Sequence, residues 1–237
     1  MPKTGLRMTR FQLACFCLML PFTPLSGQDS CPGCSCGVTR GDPWTTLQDG
    51  FYRFVCKAPG KCAEHPHSDR CARCCGIEGQ KPFAAVLSCS DSRVPPEILF
   101  DQGLGDLFVV RVAGNVASDE AIGSIEYAIA HLKTIKIIVV MGHQNCGAVT
   151  TAMDKDHPSH DMIPSILNRI YPAVANSGNI EDGIKDNVRY TVKLLRQYSP
   201  IIRDGVPSAK PPIPPPDIKG VYYPFQGTEI EVLRPLP

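Results

Sequence analysis

Two short clusters carry the residue types that metal-assisted chemistry needs. Cys89, Asp91 and Arg93 alternate along one stretch, and His143 and Cys146 stand three residues apart. Two thiolates and one imidazole make a three-ligand zinc set, which leaves the fourth tetrahedral position to water or substrate. A structural site would be expected to close with a fourth Cys or His, and none follows the second cluster at a suitable place. If the first stretch is extended, Cys89, Asp91 and Arg93 share one face. A buried carboxylate beside a guanidinium stays ionised and is held in a fixed orientation. The alternative for Cys89 and Cys146 is a disulfide, against which stand the acid and base beside them. His143 alone would mean little; its spacing from Cys146 gives it weight. Taken together, these residues point to a catalytic zinc lyase or hydrolase.

Both clusters follow short apolar runs. Residues 83 to 88 (FAAVLS) lead into Cys89, and residues 136 to 142 (KIIVVMG) lead into His143, with a third run at 107 to 113 (LFVVRVA) between them. Continuous branched runs of this length predict strands buried on both faces, hence a mostly parallel sheet covered by helices. Asp119 to Leu132 predicts a helix with Ala121, Ile122, Ile125, Ile129 and Leu132 on one side and Ser118 as its N-cap, completing a βαβ unit. Ile184, Val188, Val192 and Leu195 mark a second amphipathic helix, and Ile163 to Tyr171 a shorter one. Lys219 to Tyr223 and Glu229 to Leu233 read as a closing C-terminal hairpin or edge pair. The fold class is therefore α/β. The carboxyl ends of such strands converge on one crevice, so the two distant clusters arrive at the same place.

The ends of the chain have other business. Lys3, Arg7 and Arg10 precede an apolar run from Phe11 to Phe22, and Leu25-Ser26-Gly27 supplies small residues. That layout is a secretory signal over residues 1–27, with the mature chain starting near Gln28. The run is shorter than the roughly 20 residues that span a bilayer. Cys15 sits too early in it for lipid attachment. An exported product, secreted or periplasmic and without a membrane anchor, is expected. Beyond the signal the chain holds 21 basic and 23 acidic residues, which gives no electrostatic case for nucleic acid or an anionic membrane.

Residues 28–78 form a Cys-rich N-terminal segment ahead of a core at 79–237. Cys31, Cys34, Cys36, Cys56, Cys62, Cys71, Cys74 and Cys75 all lie in it. In an oxidising compartment disulfides are the expectation. The sharper alternative is a second metal site, from Cys31-x-x-Cys34 and Cys71-x-x-Cys74 with His65 and His67 between. Residues 207–216 (PSAKPPIPPP) are expected to be a stiff extended spacer.

The stretch FAAVLSCSDSRVPPEILFDQGLGDLFVVRVAGNVASDEAIGSIEYAIAHL, followed by VVMGHQNCGAV, resembles the β-class carbonic anhydrases, with their C-x-D-x-R and H-x-x-C motifs in order. The resemblance runs from about Trp44 to near Leu233. It implies that Cys89, His143 and Cys146 bind Zn2+ and that Asp91 and Arg93 form a dyad orienting a zinc-bound hydroxide toward carbon dioxide. It also implies a homodimer or dimer of dimers with sites at the interface and N-terminal helices embracing the partner. Gln80 matches a glutamine that binds substrate across that contact, and Gly147 a glycine whose backbone amide faces the metal-bound group. The resemblance further implies that Asp91 can become a fourth ligand, in a closed state reached when the dyad breaks at lower pH. Val86 stands where a bicarbonate-regulated subgroup carries tryptophan, which argues against that regulation here. His131 or Tyr127 is a candidate proton relay. Two other readings share the residues: hydrolysis of carbon disulfide or carbonyl sulfide, and a non-catalytic extracellular metal-binding module.

Overall fold

A computed structural model describes residues 41–55, 79–154, 161–227 and 229–236. The signal segment, the eight N-terminal cysteines, His65 and His67 lie outside these residues, and with them the choice between disulfides and a second metal site.

The sheet has five strands in the order β2-β1-β3-β4-β5. β1 (Ala84–Ser88) and β3 (Ile137–His143) are buried at every position, as continuous apolar runs require. They pair in parallel with Ser88 opposite Met141. Cys89 therefore leaves the sheet one residue past Ser88, beside a strand that ends two residues past Met141 in His143. β2 (Leu107–Arg111) is only half-buried and ends two residues early. It is an edge strand, so only one flank is covered, which corrects the expectation of burial on both faces. β4 (Asp217–Tyr223) runs parallel to β3, and His143 stands opposite Tyr223. β5 (Glu231–Leu233) pairs with it antiparallel. The closing pair is present as expected, although β4 is an interior strand.

Helices cover the sheet. α1 (Pro43–Val55) buries Leu47 and Phe51, and Gly50 lets it approach the chain after α2 (Pro96–Leu99) so closely that a Cβ would strike the Phe100 carbonyl. α3 (Asp119–Tyr127) starts where Ser118 accepts the Ala121 amide at 3.2 Å, then widens into a π-helical turn, Ala128–Leu132. After β3 come α4 (Gly147–Met153) and α5 (Pro164–Val174). The long helix α6 (Ile180–Tyr198) is capped by Asn179, whose Oδ1 accepts the Asp182 amide at 2.9 Å. α6 buries Ile184, Val188, Val192 and Leu195. It lies close on the strand ends because Gly142 has no side chain: a Cβ there would sit 2.5 Å from Val188 Cγ2.

After the short α7 (Pro200–Asp204) the proline-rich segment folds back rather than running straight. Val206 and Ile213 exchange backbone hydrogen bonds at 2.8 and 3.1 Å. Gly205, at φ +77°, makes the turn, and a Cβ there would meet the Ile213 carbonyl at 2.3 Å. Backbone pairing across the loop outweighs the stiffness of its prolines.

Candidate metal centre

Cys89 follows β1, His143 closes β3, and Cys146 immediately precedes α4. Their donor atoms lie within 4.8 Å of one another, and all three side chains are buried. Both cysteines are free thiols, so the disulfide alternative for this pair is excluded. They are unlike in charge. Cys146 donates to Cys89, which pulls the Cys89 thiol well down against the pull of burial, and the Asp91 and Gly114 amides assist. Cys146 is pushed upward by that same donation, by burial and by the neighbouring thiolate.

The His143 ring is oriented for a ligand. Its Nδ1 lies 2.9 Å from the Gln144 carbonyl, an acceptor, so Nδ1 carries the hydrogen and Nε2 presents a lone pair. Nε2 is buried and has no hydrogen-bond partner. A buried polar atom left open in this way costs free energy unless something fills its direction. Two thiols and an imidazole nitrogen aimed at one point fit zinc by donor type, number and orientation.

Asp91 and Arg93 sit beside this cluster in a turn, not in extended chain as the alternation suggested. The Arg93 amide donates to Asp91 Oδ1 at 2.9 Å, and the Val94 amide donates to the Asp91 carbonyl at 3.2 Å. The guanidinium adds a fork, Nε to Oδ1 at 2.8 Å and Nη2 to Oδ2 at 2.7 Å. These bonds, led by the Arg93 side chain, hold the Asp91 carboxyl far below the usual carboxylate range. Asp91 Oδ2 lies 3.9 Å from His143 Nε2, so the carboxylate faces the open side of the ligand set. Arg93 is half-exposed and stacks over Phe225, 4.4 Å from the ring centroid, and Phe225 also meets the His143 ring.

Gly147 opens α4, and a Cβ there would meet nothing within 4 Å, so there is free space beside Cys146. Gln80 is exposed in the segment ahead of β1. Val86 is fully buried in the sheet. Tyr127 and His131 stack on each other, exposed, at the end of α3.

Other residues that serve the site gave no sequence signal. Arg111, at the end of β2, donates to the Cys89 carbonyl at 3.0 Å and to the Asp91 carbonyl, clamping the ligand loop. Gln144 receives the Phe225 amide at 3.0 Å and so ties the chain leaving β4 to the His143 loop.

The carbonic anhydrase family model matches residues 84–230. The carbonic anhydrase of Mycolicibacterium smegmatis is 39% identical over 171 residues, covering 69% of this chain and 81% of that protein. Carbonic anhydrase 2 of Mycobacterium tuberculosis is 37% identical over 172 residues, covering 69% and 80%. The solved β-carbonic anhydrase of Coccomyxa, in complex with acetazolamide, superposes with a TM-score of 0.57 at 27% identity over 68% of this chain and 75% of that one. A tetrameric β-carbonic anhydrase of Sordaria macrospora gives 0.56 at 26%, over 66% and 83%. The mostly parallel five-stranded sheet, the Cys-His-Cys cluster at its carboxyl edge and these relatives agree: the chain is a carbonic anhydrase and belongs to the β-carbonic anhydrase family.

Proposed function

We propose that the protein is an exported zinc enzyme that interconverts carbon dioxide and bicarbonate, with Cys89, His143 and Cys146 as the metal ligands and Asp91 and Arg93 as the dyad. The observation that carries this reading is the meeting of three buried donor atoms within 4.8 Å beside a carboxylate locked by an arginine. Zinc bound there would bring the pKa of a coordinated water toward neutrality and so supply a nucleophile at physiological pH. The rest falls to the chain. Asp91 is kept ionised by Arg93 and can only accept. It takes the hydrogen bond of the attacking oxygen and turns that oxygen's lone pair toward the substrate carbon. The Gly147 amide faces the open corner and donates to the other substrate oxygen. Gln80 reaches the substrate of the partner subunit in a dimer or dimer of dimers. Released from the Arg93 fork, Asp91 would be the residue to serve as a fourth ligand beside Cys89, His143 and Cys146 and so close the site.

Export rests on the basic and apolar layout of residues 1–27. Among the described residues no helix is long and apolar enough to cross a membrane. N-terminal sequencing of the protein recovered outside the cytoplasm should start near Gln28; an intact Met1 there would refute cleavage.

The deciding experiment is stopped-flow hydration of carbon dioxide by the mature protein, with carbon disulfide and carbonyl sulfide assayed beside it. The expected result is fast hydration that a chelator abolishes and zinc restores. Asp91→Ala should lower kcat/KM by about 10²–10³-fold, and Cys146→Ser should lose zinc and activity together. Rates equal to buffer, or turnover of the sulfur substrates alone, would refute it.

A further inference from the structure

The sulfur of Cys89 accepts a hydrogen bond from the Gly114 amide at 3.3 Å. Gly114 lies in the turn Ala113–Asn115, at φ +67°, and a Cβ there would press Ile170 Cδ1 at 2.7 Å. Glycine fits this position and nothing in its own side chain fixes it, so its backbone needs an external anchor. The anchor comes from α6. Asn187 Nδ2 donates to the Gly114 carbonyl at 2.7 Å, from a side chain with no solvent exposure.

Asn187 is an odd choice for packing alone. It stands on the buried face of α6 between Ile184 and Thr191, and its Oδ1 has no partner. A leucine of similar size would fill the space without leaving a buried acceptor open. What asparagine adds is one directed donor, and that donor holds the residue whose amide points at the Cys89 sulfur.

We propose that Asn187 is a positioning residue for the metal centre: by pinning Gly114 it keeps an N–H aimed at the Cys89 thiolate, which fixes the direction of that sulfur and tempers its charge. This rests on Cys89 being a metal ligand and extends that reading to a second layer drawn from a different helix. Outer partners of metal ligands typically govern affinity by 10–100-fold, and here the effect passes through two hydrogen bonds in series.

The test replaces zinc with cadmium-113 in the full chain and reads proton–cadmium couplings by NMR. The native protein should show coupling to the Cys89 methylene protons and, through the N–H···S bond, to the Gly114 amide proton. Asn187→Leu and the smaller Asn187→Ser should each lose the Gly114 coupling and bind zinc about 10–100-fold more weakly in chelator competition. Thr191→Val, at an equally buried position one turn along the same helix, should keep both. Cadmium coupled to Cys89 but not to Gly114 in the native protein would overturn this proposal alone. So would variants that keep the Gly114 coupling and merely melt earlier. Cadmium with no coupling to Cys89 would overturn the ligand assignment and this proposal with it.

Discussion

Cys89 and Cys146 are the same residue in the same cluster, yet in the metal-free chain they divide one proton unequally. Cys146 keeps it and Cys89 gives it up, because donors converge on the Cys89 sulfur while Cys146 is itself a donor. Metal-stripped protein at pH 6 should therefore be alkylated at Cys89 before Cys146, whereas a free thiol titrates near 9.0. Cys89 reactivity therefore persists at pH values where an ordinary thiol is protonated, and fades only well below them. Peptide mass spectrometry after a pH series reads this directly, and equal labelling of both thiols would contradict it. Asp91 behaves in the same sense. Its folded-state pKa is depressed below 3.8, so the Arg93 fork contributes stability above that value and loses it as pH falls further. Metal-free Asp91→Asn should fall short of wild type in urea unfolding at pH 6, by a gap that narrows below pH 3.8; a constant gap would argue against the pairing. Arg93→Ala should free Asp91 to close the site at neutral pH, seen as lost activity with zinc retained.

Elements place these residues through register and close approach. One residue past β1 and the last residue of β3 are neighbours because Ser88 pairs with Met141, and α6 can reach that corner because residue 142 is glycine. Gly142→Ala should cost about 1–3 kcal/mol in urea unfolding through the clash with Val188. Ser118→Ala and Asn179→Ala should each cost about 1 kcal/mol by exposing a helix start. Elements of this kind are legible in the sequence where local chemistry decides them. β1 and β3 declare themselves as unbroken apolar runs, and Ser118 caps α3 as its position suggests. Where distant pairing decides, the sequence is silent or misleading. The half-covered edge strand β2 is such a case, whereas the back-folded loop from Val206 to Ile213 and the turn that carries Asp91 are closed by bonds between residues close in the chain that no periodicity announces. The ligands are legible because three residue types in two tight spacings suffice to name them. Arg111, Asn187 and Phe225 are not, since nothing near them in sequence says what they touch.

At the scale of the whole molecule, the site sits at the carboxyl end of the sheet with Arg93 half-exposed, and Gln80 is exposed ahead of β1. The tetrameric state is a property of the Sordaria macrospora enzymes; for this chain a dimer or dimer of dimers is the expected assembly. Light scattering on the mature protein should give at least twice the chain mass, and a monomer at working concentration would leave Gln80 without the site it is assigned to. Comparing intact mass before and after reduction decides whether the cysteines between Cys31 and Cys75 are bridged. Every catalytic step assigned to this chain depends on one zinc at the meeting of two loops. Zinc-edge X-ray absorption on the mature protein tests that most directly. It should report two sulfurs at about 2.3 Å, one imidazole nitrogen at about 2.0 Å and one light fourth neighbour, at one zinc per chain. A shell of four sulfurs, or protein that holds no zinc at all, would contradict it.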